Sequence, residues 1–213
     1  MKVLIIGATG TAGMAITKKA LSNSYELVAL VRNPDKLKGL VGNIEIIKGD
    51  ILDVGSLSKA IQGVEIVVSC VGAMDNSPGQ IELFKKGMGN IIEIMNDNSI
   101  KRLISINGAL TKVDRDNVGF YLQFMRWLIP KLVPQMVKSN KAQYDVIAHS
   151  QTDWTVIRAG KFIDKKGTGK VKVDLSNQKG FNIAITKDDL ANFVIGQFSK
   201  SRYIKKSPLI FSQ

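Results

Sequence analysis

The feature that most constrains this chain stands at its start. An apolar run, Val3-Leu4-Ile5-Ile6, passes straight into Gly7-Ala8-Thr9-Gly10-Thr11-Ala12-Gly13. A strand that ends in G-x-x-G-x-x-G and opens a helix, here Thr11–Leu21, is the local design of a pyrophosphate-cradling loop. Gly7 permits the tight turn, Gly10 lets backbone approach the phosphates, and Gly13 allows the helix to pack close to the strand. The backbone of Thr9, Thr11 and Ala12 then faces an anion at the positive end of the helix dipole. The reading is a site for NADP(H) or NAD(H); the plain alternative is a tight turn that holds no ligand.

The rest of the chain alternates apolar β-branched runs with helical patterns, as βαβ units do. Strands are expected at Val3–Ile6, Glu26–Val31, Ile44–Ile47, Glu65–Val71, Arg102–Ile106 and Trp154–Arg158. Helices are expected at Thr11–Leu21, Ser56–Gln62 and Ile81–Asn96, the second entered through Gly55-Ser56. Asn33 caps a short helix that Pro34 opens. Residues 118 to 150 read as helical, interrupted at Pro130 and Pro134, because proline lacks the donor and clashes with the preceding turn. Short strands at Lys170–Leu175 and Phe181–Ile185 flank the turn Ser176–Gly180. Thr186-Lys187-Asp188-Asp189 caps a helix running to Phe198, and Leu209–Phe211 is a last strand. The predicted fold is α/β, a Rossmann doubly wound parallel sheet. It forms a single domain over residues 1–213, with a small C-terminal substrate lobe from about residue 150 to 213.

Composition narrows the functional classes. Net charge is +12 in 213 residues, but cations are spread along the chain and aromatics are only 7%. With no nucleic-acid-binding motif in view, attraction for anionic ligands or a solvated basic surface explains the charge better than nucleic acid does. No apolar run reaches the roughly 20 residues of a membrane span, and the start does not read as a signal peptide. One cysteine, Cys70, excludes an internal disulfide and fits a cytoplasmic setting. One histidine, His149, and no ligand spacing argue against a metal.

Two side chains bear on which dinucleotide is held. Arg32 ends the second strand, where an acid would accept a ribose 2′-hydroxyl. A guanidinium there suits a 2′-phosphate, so NADP(H) is favoured over NAD(H); a solvated strand-end arginine is the alternative. Asp50, in Gly49-Asp50-Ile51, is read as an adenine contact, and Asp53 as a helix cap.

With these residues assembled, the chain resembles the atypical short-chain dehydrogenase/reductases. Within them it is similar to the NAD(P)H-binding, NmrA-like branch that includes flavin and biliverdin reductases. The likeness covers nearly the whole chain. It rests on Gly7–Gly13, Leu30-Val31-Arg32-Asn33, Gly49-Asp50-Ile51, Val71-Gly72-Ala73, Gly89-Asn90-Ile91-Ile92 and Lys101-Arg102-Leu103-Ile104-Ser105. Later marks are Thr152–Arg158 and Ile185–Ala191. The resemblance implies that Val71, Gly72 and Ala73 lie along the cofactor ribose. It puts Ser105 and Asn107 near the nicotinamide, and Arg158-Ala159-Gly160 over its far side. The family usually has proline after that arginine, and Ala159 departs from this.

Many of these enzymes use Tyr-x-x-x-Lys, the tyrosine as general acid. Lys141 stands at the expected place, but four residues earlier is Val137. Tyr144 and Asn107 are the remaining catalytic candidates beside Lys141, with Tyr121 more remote; Lys141 reads equally as a solvated helix lysine. The expectation is an NADP(H)-dependent oxidoreductase that reduces a small conjugated acceptor, such as a flavin or quinone, an anionic one included, without the usual acid. The alternative is a non-catalytic redox-sensing regulator of the NmrA-like type, with a protein partner or oligomer. An isomerase of the extended family is disfavoured by the short chain and by Val137.

Overall fold

Successive side chains of a strand point to opposite faces, so a strand buried on both sides must be apolar throughout. The first strand, β1 (Lys2–Ile6), shows the consequence. Val3 and Ile5 enter one core, Leu4 and Ile6 the other, and all four are at most 2% exposed. The computed structural model describes residues 1–72, 76–114, 116, 119–175 and 183–213.

Chain order continues α1 (Thr11–Ser22), β2 (Glu26–Val31), a 3-10 turn (Pro34–Leu37), β3 (Ile44–Lys48), α2 (Val54–Ala60) and β4 (Ile66–Ser69). There follow α3 (Gln80–Asp97), β5 (Arg102–Gly108), α4 (Phe120–Leu132), α5 (Pro134–Ala148) and β6 (Asp153–Ala159). The chain closes with β7 (Phe162–Ile163), β8 (Val171–Asp174), β9 (Ile185–Thr186), α6 (Lys187–Ile195) and β10 (Leu209–Ser212). Eight strands form one sheet in the order β3-β2-β1-β4-β5-β6-β10-β8. All neighbours are parallel except β8, which runs against β10. This is the Rossmann-type, doubly wound α/β fold expected. Helices α1 and α6 cover one face of the sheet; α2, α3 and α5 cover the other. The short strands β7 and β9 pair in parallel apart from the main sheet.

Several local expectations are corrected. Helix α2 starts at Val54 rather than Ser56, because Asp53 is the cap, as expected, its carboxylate accepting from the Gly55 and Ser56 amides. In the 118–150 stretch the interruption falls at Val133. Pro130 sits inside the last turn of α4, and Pro134 opens α5 at a first-turn position where a missing N–H costs nothing. Strand β4 ends at Ser69, which leaves Cys70 just beyond it. Lys170–Leu175 shortens to β8, while the turn Ser176–Gly180, with Phe181 and Asn182, lies outside the described residues.

Candidate functional site

All the parallel strands end at one edge of the sheet, and the order reverses between β1 and β4, where a crevice opens. The loop Gly7–Gly10 leaves β1 into that crevice. Gly7 has φ +80°, and a Cβ on it would meet the Cys70 carbonyl oxygen at 3.0 Å. Gly13 is tighter still: a Cβ there would stand 2.1 Å from the Gly7 oxygen, so α1 packs on the strand end only through a bare backbone. Gly10 differs, with its nearest neighbour at an ordinary 3.5 Å. It caps α1 without a side-chain hydrogen bond, and no acid stands in the first turn. The first-turn amides of a helix have no partner within it. Here they face outward with the positive dipole end, and the cavity they open on is lined by Lys18, Lys19 and Lys187 as well as Asp188. The cradle fits a dinucleotide pyrophosphate.

The other residues expected to touch the cofactor stand just after β2, β3 and β4. Arg32 is exposed at the end of β2 and makes no hydrogen bond or ion pair with a described residue. Asp50 accepts from the Leu52 amide, which shapes its turn. Ile51 is 6% exposed and clamped under α3: Asn90 donates to its carbonyl, and Gly87 leaves space for its side chain. Val71 and Gly72 follow β4 on the crevice floor, while Ala73 lies outside the described residues.

Gln143, which the sequence did not single out, reaches from α5 to donate to the Val71 carbonyl at 3.2 Å. It is 1% exposed, and its Oε1 is buried without a hydrogen-bond partner among the described residues. Beyond β4, Ser105 donates to Asn107 Oδ1, and Asn107 donates to the Asn140 carbonyl. Asn107 is thus fixed between β5 and α5. Cys70 packs against the core beside this floor, and burial pushes its thiol up to about 12, which makes it a poor nucleophile.

A second cavity, of about 240 Å³, lies between α4 and α5. Leu110, Pro130 and Val137 give it apolar walls; Lys112, Arg126, Lys138 and Lys141 bring cations to it. Val137 and Lys141 share this wall because they are one turn apart on α5. Lys141 pairs with Asp145, and its ammonium lies 5.8 Å from the Tyr144 ring centroid. Tyr144 itself turns into the core, 4% exposed and edge-on to Trp154, its hydroxyl accepting from the Asp114 amide.

Beneath the cavity stands a buried charge cluster that sequence reading missed. Asp116 Oδ2 accepts from Arg126 and, at 2.8 Å, from Arg158. Their side chains are 5%, 9% and 1% exposed. Arg158 also donates to the Ser207 carbonyl, and Arg126 to the carbonyls of Leu110 and Thr111. Desolvation lowers the Arg158 pKa, and Asp116 opposes the shift. Arg158, expected over the nicotinamide, is therefore placed below the surface, tied to Thr111 and Asp116. No local pattern marks Asp116, since its partners lie 10 and 42 residues away.

A family described as NAD(P)H-binding matches residues 7–201. The "Probable pinoresinol-lariciresinol reductase 3" of Arabidopsis thaliana is 36% identical over 168 residues, 65% of this chain and 52% of that protein. The chain thus spans about half of that relative's length. Among solved structures, a short-chain dehydrogenase/reductase from Veillonella parvula in complex with NADP superposes with TM-score 0.78 at 16% identity, covering 99% of this chain and 94% of that one. ChuY, an "Anaerobillin Reductase" from Escherichia coli O157:H7, gives 0.80 at 18% identity, covering 100% and 97%.

Proposed function

The chain belongs to the NAD(P)H-binding family, and from that premise we propose that it is an NADP(H)-dependent reductase of a small conjugated acceptor, such as a flavin or quinone. The observation that carries this reading is the apolar cavity in which Val137 and Lys141 stand side by side with no phenol on the wall. A carbonyl substrate needs a proton donor at the developing alkoxide. A conjugated acceptor spreads the incoming charge over its own heteroatoms and takes its proton from water.

Bound nicotinamide supplies the hydride. The chain supplies position and shielding. The Thr11–Gly13 backbone holds the pyrophosphate, Arg32 takes the 2′-phosphate, and Gln143 fixes the Val71 carbonyl under the ribose. The apolar cavity walls keep water from the reacting faces, and Lys112, Lys138 and Lys141 receive an anionic group of the acceptor. The reductase named ChuY, alike in fold, and the plant reductase relative support this class. The lone, unreactive Cys70 supports a cytoplasmic setting.

The same absence of a phenol favours a second reading, a dinucleotide-binding regulator that does no chemistry. Turnover separates the two. Purified protein is given NADPH with flavins, quinones and aldehydes in turn, and oxidation is followed by absorbance. The reductase reading expects turnover with the first two classes and little with aldehydes. Binding of NADP+ without turnover on any acceptor would overturn it and leave the regulator.

A further inference from the structure

We propose that α4 docks this protein on an anionic lipid surface. On that helix Phe120, Phe124, Trp127 and Lys131 recur at a spacing of four, three and four, which places them on one stripe. The stripe faces solvent: Phe120 is 81% exposed, Phe124 44% and Trp127 59%. Among the described residues these are the exposed large aromatics, all on one helix, which also carries the exposed Leu132 at its end. The core-facing side of α4 is different and carries the buried Leu122.

The stripe is ordered within itself. Phe124 and Trp127 stack with centroids 5.9 Å apart, and the Lys131 ammonium lies 3.5 Å from the Trp127 ring centroid. An indole beside an ammonium suits the boundary between headgroups and acyl chains, where the ring meets hydrocarbon and the charge meets phosphate.

Charge identifies the surface it fits. From Asn117 to Tyr144 the sequence has no Asp or Glu, but has Arg126, Lys131, Lys138 and Lys141. Of these, Lys131 is exposed on the stripe itself and Lys138 is exposed on α5, while Arg126 is held inward by Asp116 and Lys141 pairs with Asp145. A second copy of the chain offers the same cations and a net charge of +12, so two such faces repel. Anionic lipid offers negative charge with an apolar layer directly beneath, which matches an aromatic stripe ended by Lys131 on a strongly basic chain. This inference stands apart from any catalytic activity, and its test measures none.

The test is flotation of the full chain with vesicles of phosphatidylcholine alone, or with phosphatidylglycerol as about a third of the lipid. Binding is expected only to the anionic vesicles, weakening as salt rises. Trp127 emission should shift blue on binding, since Trp154 is already 6% exposed. The variant F124S/W127S changes exposed side chains and should keep its melting temperature. It should lose vesicle affinity by about tenfold or more. Equal binding by wild type and variant, or none to anionic vesicles, overturns the proposal. So does a dimer in light scattering that the variant abolishes, because the stripe is then covered by a second copy.

Discussion

The two halves of the sheet are held by different physics. The half β3-β2-β1-β4 and its helices bury hydrocarbon: among the described residues before residue 100, the buried polar side chains are Thr17, Ser56 and Ser69. The half β5-β6-β10 buries Ser105, Asn107, Thr155, Arg158, Asp189 and Ser212, most of them hydrogen-bonded across long stretches of chain. Hydrocarbon packing tolerates small losses at any one point. A buried polar network does not, because each group removed strands its partner in low dielectric. The glycine loop grows from the first half, and the cavity between α4 and α5 leans on the second.

The sharpest way to test this contrast is Asp116→Ala. It leaves Arg126 and Arg158 buried with no carboxylate between them. Breaking one partner of a buried ion cluster costs about 3–5 kcal/mol. Urea unfolding should register the loss, and a drop below about 1 kcal/mol would show the cluster to be hydrated and the contrast to be wrong.

In the other half the corresponding change is a single methyl group. Gly13→Ala forces a Cβ against the Gly7 carbonyl, which is backbone and cannot yield as a side chain would. Overpacking of this kind costs about 1–3 kcal/mol. Gly10→Ala makes only an ordinary contact, 3.5 Å from the Gly7 oxygen, and should fold as wild type, yet lose NADPH affinity by about tenfold, since its methyl occupies room the phosphates need. If Gly10→Ala binds NADPH normally, the phosphates do not approach where the loop geometry puts them.

The same division explains what could be read before any coordinates. The pattern at Gly7–Gly13 is local, so its strand, turn and helix were legible in order. The sheet's alternation of Val3 and Ile5 against Leu4 and Ile6 is equally local. Asp116 has no such signature, because its meaning comes from Arg126 and Arg158, brought together only by folding. Gln143 was silent for the same reason, its partner Val71 lying 72 residues away. Tyr144 misled as a candidate acid: helical spacing put it near Lys141, but the ring is drawn into the core against Trp154. The break at Val133 rather than Pro130 followed from position, since Pro130 falls in the last turn of α4, where the helix is ending anyway.

Acid offers a gentler probe of the polar half. Burial raises the Asp189 pKa, but hydrogen bonds from Ser212, Thr186, Gly169 and Thr168 outweigh it, and the net position is below the ordinary 3.8. A carboxylate lowered in the folded state stabilises the fold above its unfolded pKa, and that contribution disappears as pH falls through the folded value. Urea midpoints should therefore hold steady from neutral pH and fall below about pH 4. Asp189→Asn should cost about 2 kcal/mol at neutral pH and flatten the acid limb. An unchanged acid limb in the variant would assign the loss to other carboxylates.

The smallest expected effect falls on the apolar half, where a charge acts from the surface. Arg32 is exposed and makes no ion pair with a described residue, so its removal should leave stability unchanged. Against a 2′-phosphate its guanidinium makes a charge-assisted, forked contact, and Arg32→Ala should weaken NADPH binding by about tenfold while sparing NADH. Lys36, exposed on the neighbouring turn, offers only a mobile point charge, so Lys36→Ala should change either affinity by less than about threefold. Calorimetric titration of both dinucleotides into the three proteins decides it. Equal loss for NADPH and NADH in Arg32→Ala would place the arginine against the adenosine they share, and the preference for the phosphorylated cofactor would have no residue left to carry it.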